Sequence, residues 1–103
     1  MPSKSSRVAI ATIGDQGLED RVSNHFGHSK TFTIVEVSNG NIKNVKVMRN
    51  PAASLSYGRG RVLTQQLVNI GVDIVISGKI GPGASTILDE LGLKKVIAKP
   101  GEQ

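Results

Sequence analysis

The sequence predicts a single α/β domain on a mixed five-stranded sheet, with elements in the order β-β-β-α-β-α-β. Three observations predict it. Short runs rich in β-branched residues stop at turn residues. An Asn39-Gly40 pair separates two of these runs. Two stretches with helical spacing alternate with the later runs.

Arg7-Val-Ala-Ile-Ala-Thr-Ile13 is apolar and β-branched up to Gly14, as a buried strand should be. Residues 14–29 hold Gly14, Gly17, Asn24 and Gly27 with three acids, a long loop with room for a single helical turn. Loops of that length in small domains are often functional. Thr31-Phe-Thr-Ile-Val-Glu-Val37 is the second strand. Asn39-Gly40 is the strongest short hairpin signal, because both residues tolerate positive φ. From Ile42 to Met48, Ile42, Val45 and Val47 are set against Lys43, Asn44 and Lys46, so this strand is partly exposed. Asn50-Pro51 ends it, since proline has no ladder donor.

Small residues fill 51–60, and a helix follows to about Asn69. Leu63, Leu67 and Ile70 recur at helical spacing, and Gly71 is a natural stop. Val72-Asp-Ile-Val-Ile76 is a strand. Pro82 suits the first position of the next helix. Ala84, Ile87, Leu88 and Leu91 mark its buried face, and Gly92 ends it. Lys95-Val-Ile-Ala98 is the last strand. The domain should span residues 7–98, with residues 1–6 and 99–103 as flexible ends. The early hairpin strands should be antiparallel, and the β-α-β-α-β part parallel.

Composition narrows the function classes. In 103 residues there are 13 Lys+Arg and 8 Asp+Glu, for a formal charge of +5. There is no Cys and no Trp, and the aromatics are Phe26, Phe32 and Tyr57. Without cysteine the chain has no disulfide, no thiolate metal site and no cysteine nucleophile. That suits a cytoplasmic setting. No apolar run approaches the roughly 18–20 residues of a membrane span, and the start at Met1 is too polar for a signal peptide. The charge is dispersed: seven basic and four acidic residues before position 51, six and four after it. Excess positive charge favours an anionic partner. A nucleic-acid partner is not expected, because stacking aromatics and a basic stripe are missing.

Two constellations carry potential chemistry. In Val22-Ser-Asn-His-Phe-Gly-His-Ser29, His25 and His28 flank Phe-Gly just before a strand. Gly27 permits a tight turn that aims both rings, and neutral imidazole binds transition metals. The same pair also reads as two polar loop residues in a basic protein. The second constellation is a pair of glycine-rich connections opening the helices, Ser54–Arg61 and Gly78–Ser85. Helix N-termini present free N–H groups and partial positive charge. Gly58, Gly60, Gly81 and Gly83 would let backbone approach an anion, with Arg59, Arg61 and Lys79 adding charge. The alternative is that these glycines serve only turns and helix packing. Neither segment is a nucleotide motif. Gly78-Lys79 lacks the upstream glycine and following Ser/Thr of a P-loop, and Gly58-Arg-Gly-Arg-Val-Leu63 lacks the third dinucleotide glycine. Asp15, Glu19 and Asp20 form an acidic loop that reads as solvated more readily than as a cation site. No catalytic constellation is recognised, so no enzyme is expected.

The chain resembles the dinitrogenase iron–molybdenum cofactor biosynthesis family. The matching pieces are Val8-Ala-Ile-Ala11, Val22-Ser-Asn-His-Phe-Gly27, Phe32-Thr-Ile-Val-Glu36, Asn50-Pro-Ala52, Gly71-Val-Asp-Ile-Val-Ile76 and Gly78-Lys-Ile-Gly-Pro-Gly-Ala84. The resemblance covers roughly Arg7 to Ala98. It implies a ribonuclease H-like fold without the nuclease carboxylates. It also implies noncovalent, transient carriage of an anionic cargo: an iron–sulfur cluster, a molybdenum–iron or molybdenum–copper sulfur cluster, or a precursor. His25 matches the family's histidine and is the expected metal ligand. His28 stands where many relatives carry Arg, as a second ligand or a substitute for the cation.

Sequence and resemblance converge on one cofactor-binding site built from His25, Gly27, His28, Arg59, Gly60, Lys79, Gly81 and Gly83, with His25 and His28 as metal ligands. The expected partners are cluster donor and acceptor proteins, with no membrane, and the chain itself a monomer or weak dimer. A general small-anion, phosphate-type binding or regulatory module is the alternative.

Overall fold

The computed structural model describes residues 5–98. The ends 1–4 and 99–103, expected to be flexible, lie outside the described residues. Five strands form one mixed sheet in the order β3-β2-β1-β4-β5. They are β1 (Ser5–Thr12), β2 (Thr31–Ser38), β3 (Asn41–Arg49), β4 (Ile74–Ser77) and β5 (Lys94–Ile97). The helices are α1 (Arg59–Asn69) and α2 (Pro82–Glu90). β1 pairs antiparallel with β2, and β2 with β3. β4 runs parallel to both β1 and β5. The predicted order and directions hold.

The hairpin turn places Asn39 at φ 52° and Gly40 at φ 81°, the backbone that an Asn-Gly pair adopts most readily. The register shifts opposite Glu36 and Val37, so Lys43 is the extra residue of β3. β1 begins earlier than expected. Ser5 and Ser6 pair with Ser38 and Val37, so the antiparallel ladder extends β1 into the segment taken as a flexible end. Ile13, expected inside the first strand, lies beyond it and is 55% exposed. The chain turns away there toward the β1–β2 loop.

One sheet face holds the core. Ala9 and Ala11 on β1 are register partners of Ile34 and Phe32 on β2, and Ala9 also faces Val75 on β4. Leu63 and Leu67 of α1 and Leu88 of α2 bury completely against this face. The small alanines of the central strand let both helices lie close. Burying each leucine contributes about 1.5–3 kcal/mol. Arg7 ties the far end of the sheet to α1: its guanidinium donates to the Ile70 carbonyl and, at 2.6 Å, to Glu36 Oε2.

The β1–β2 loop is not structureless. A short 3-10 turn at Gly17–Glu19 lies over the opposite sheet face, where a Cβ on Gly17 would stand 3.8 Å from the Val45 and Val47 side chains. The loop then returns along β1. Ile13 N–H donates to Arg21 O, Ser23 N–H donates to Ala11 O, and Thr12 bridges Val22.

A candidate cargo-binding cleft

The returning loop sets up the site. Ser23 is buried at the ends of the central strands: its N–H reaches Ala11 O at 2.7 Å, and its carbonyl accepts from Gly78 N–H at 2.8 Å. Its hydroxyl then braces His25, donating to the His25 carbonyl and accepting from the His25 N–H, both at 3.2 Å. Phe26 plugs the core, edge-on to Phe32 at 5.6 Å between ring centroids. Because Phe26 points inward, the histidines on either side stay exposed. The His25 and His28 rings lie 6.2 Å apart, inclined at 67°.

Asn50 closes the loop from behind. Its buried amide donates to the Gly27 and Ser29 carbonyls at 3.0 and 2.8 Å, and its Oδ1 accepts from Ala52 N–H at 2.9 Å. Ser29 Oγ adds a bond to Thr12 O at 2.9 Å. Buried polar groups held this way give a loop one conformation.

A cleft of ≈ 670 Å³ opens in front of this loop. His25, Gly27 and His28 line one side. Arg59 and Gly60 at the start of α1, and Lys79, Gly81 and Gly83 around the start of α2, line the other. All the sequence-predicted site residues therefore border one cavity. Arg61, Phe26, Ala84 and Ile87 also contribute to its walls.

The glycines divide by role. Gly58, Gly81 and Gly83 have open space where a Cβ would stand. Gly60 does not: its Cα side faces Ile87 and Ala84 of α2 at 3.5–3.6 Å, so its missing side chain serves the helix–helix contact. Gly78 is the tightest. A Cβ there would meet Asn24 Oδ1 at 2.9 Å and Ser23 O at 3.0 Å.

The electrostatics are one-sided. Neither helix has an acidic residue in its first turn, and Arg59 and Arg61 add full charges to the partial positive charge of the α1 N-terminus. Arg61 leans toward Glu90 at 3.7 Å. An Arg59 Nη donates to His28 Nε2 at 2.9 Å, while Arg59 Nε is buried with no partner. Ser77 Oγ donates to Lys79 O at 2.9 Å and so holds the backbone from which Lys79 projects.

The acidic loop has another use. Burial alone would raise the Asp20 carboxyl. Backbone N–H groups of Gln16, Arg21, Gly14 and Ile13 outweigh it and hold Asp20 below the usual carboxylate range. Gly14 and Gln16 N–H reach one oxygen at 2.9 and 3.0 Å, and Arg21 N–H reaches the other at 2.7 Å. Asp20 is thus a loop clamp.

Among the described residues no group of three or more His, Cys, Asp or Glu side chains is placed to hold a metal ion. The cleft offers a metal at most the two imidazoles, within a ring of N–H donors and cations. That donor set fits a metal that brings its own anionic ligands, and fits a bare cation poorly.

Sequence reasoning missed Ser23 and Gly78 as supports and did not anticipate the Arg59–His28 contact. A polar residue two before His25 and a glycine directly after a β-branched strand were the available signals.

An uncharacterized protein of Methanocaldococcus jannaschii is 38% identical over 91 residues, 88% of this chain and 77% of that protein. The FeMo cofactor biosynthesis protein NifB of Sinorhizobium fredii is 33% identical over 92 residues, 87% of this chain but only 18% of that longer protein. The solved apo form of the orange protein from Desulfovibrio gigas matches with a TM-score of 0.81 at 28% identity, over 97% of this chain and 81% of that one. Residues 6–103 match the family described as dinitrogenase iron-molybdenum cofactor, and the chain belongs to that family.

Proposed function

We propose that the cleft binds and carries an anionic metal–sulfur cluster, or a molybdenum or iron cofactor precursor, without covalent attachment. The observation that carries this reading is the incomplete metal site inside a cationic, N–H-rich cleft. Two imidazoles supply too few ligands for a lone cation, and the surrounding donors suit sulfide or oxo anions. His25, braced through Ser23, would ligate the metal. The N–H groups after Gly58 and Gly81, with Lys79, would hold the anionic edge.

The cargo is substrate here, received from a donor protein and passed to an acceptor in the cytoplasm. The chain acts as a carrier and not as an enzyme. Family membership supports the cofactor-biosynthesis setting.

The test is an anaerobic titration of ¹⁵N-labelled protein with tetrathiomolybdate, alone and with copper or iron, and with phosphate as control. Amide shifts confined to 25–29, 57–61 and 78–84, larger for the thiometallates than for phosphate, are the expected result. Equal shifts with phosphate would replace this reading with general anion binding. No shifts in any of the three segments would reject the cleft.

A further inference from the structure

The Arg59–His28 contact occupies the proposed ligand. A guanidinium has only donors, so at 2.9 Å the His28 Nε2 must be the acceptor. That nitrogen is therefore unprotonated, with the ring proton on Nδ1, and its lone pair points at Arg59 rather than into free space. Arg59 is itself poorly placed without cargo. It sits at the first position of α1, at the positive end of the helix, and its buried Nε has no partner. Both halves of the pair have a better partner elsewhere: His28 in a metal, Arg59 in an anion.

The geometry points to an exchange. Arg59 acts as an internal stopper on His28, and one particle bearing both metal and negative charge displaces it. The Arg59 N–H···Nε2 bond breaks, and Arg59 donates instead to a sulfide or oxo atom of the particle. The freed Nε2 lone pair fills an open or water-held position on the metal, releasing that water. The Nδ1 proton stays in place. No proton or electron is transferred.

The exchange explains selection. A simple oxoanion engages Arg59 and leaves His28 without its bond. A simple cation must break the stopper and then sit beside a guanidinium. A metal–sulfide anion satisfies both groups at once. This inference rests on the carrier reading for its ligand, but the stopper is testable without any thiometallate.

The first measurement is the imidazole ¹⁵N spectrum of the cargo-free protein at a pH where the ring is neutral. His28 should show an unprotonated Nε2, and in Arg59→Gln the proton should redistribute toward Nε2. The second is cobalt(II) binding, read from shifts at His28. Arg59→Gln should raise cobalt affinity by about tenfold, the order of one charge-assisted hydrogen bond. Arg61→Gln removes the same charge from the same helix turn without a bond to His28, so it reports the charge contribution alone and should raise cobalt affinity clearly less than Arg59→Gln does. Binding of tetrathiomolybdate premixed with copper(I), whose copper keeps a position open for the imidazole, should weaken in Arg59→Gln, opposite to cobalt. A protonated Nε2 in the cargo-free protein, or equal cobalt gains in the two variants, would overturn the stopper. Failure of the copper-loaded tetrathiomolybdate to bind the unaltered protein, with the cobalt and tautomer results as expected, would instead overturn the carrier reading alone.

Discussion

His25 shows how a single position is prepared for chemistry. Its ring is exposed, yet its backbone is held on both sides by Ser23 Oγ and followed by the buried Phe26. Removing the ring would therefore remove the proposed ligand and little else. His25→Ala should leave the unfolding free energy within about 0.5 kcal/mol, as for other exposed side chains. It should weaken thiometallate binding by about 100-fold, the upper end of what losing even an outer-shell partner costs. Urea denaturation and an anaerobic titration check the two halves. Asp20 is the opposite case, a charged residue whose work is structural. Its carboxyl is held below the usual range by backbone N–H groups, so its stabilisation is present above about pH 4. It is lost as pH falls through the lowered folded value. Asp20→Asn should cost about 1 kcal/mol at pH 7, and the gap from the unaltered protein should narrow progressively in acid as pH falls through the lowered folded value of Asp20. Urea midpoints followed from neutral pH down into acid decide it. A gap that persists in acid would mean that the carboxylate charge is not what holds the loop.

The elements matter through their ends. β1 and β4 run parallel and finish at Thr12 and Ser77, and Ser23 joins the two ends. Gly78 marks the point of closest approach, with the Ser23 carbonyl and Asn24 where a side chain would begin. Gly78→Ala should force the histidine loop off β4 and cost about 1–3 kcal/mol, as overpacking does. It should also broaden or move the His25 and His28 resonances. Gly81→Ala, with open space at its Cβ, is the contrast and should leave those resonances in place. The elements themselves were legible in the sequence because each carries a local signal: β-branched runs, Asn39-Gly40, the leucine spacing of α1, Pro82 at the start of α2. The early start of β1 was not. Ser5 and Ser6 have weak strand preference, and the ladder with β2 decides their conformation. Nor was the return of the β1–β2 loop, because backbone bonds such as Ser23 N–H to Ala11 O leave no side-chain pattern.

At the scale of the whole molecule, three separated stretches of chain meet at one end of the sheet. That the cleft residues would gather there followed from the topology: each loop after a parallel strand, and the loop before β2, must exit on the same side. What topology does not reveal is which side chains then touch. Arg59 and His28 are 31 positions apart, and only the folded arrangement puts them in contact. The same gathering concentrates Arg59, Arg61 and Lys79 around a chain of formal charge +5. Thiometallate affinity should therefore fall several-fold as salt rises from about 0.05 to 0.5 M, a change that spans the shrinkage of the Debye length from beyond 10 Å to a few ångströms. Titrations at the two ionic strengths test it, and an affinity insensitive to salt would place the binding energy in metal ligation alone.

The cleft contains no thiolate, since the chain contains no cysteine. A carrier that bound its cargo through cysteine would be damaged along with it in air, the thiolates passing to disulfide or sulfinic acid. Under the proposed carriage, every sulfur in the cleft would arrive with the cargo. Oxygen would destroy the load and leave the vessel intact. Protein stripped of cargo by air should accept a second anaerobic load at full stoichiometry without any reductant, as a repeat titration would measure. Such a carrier would be a reusable container, its lifetime uncoupled from that of what it holds.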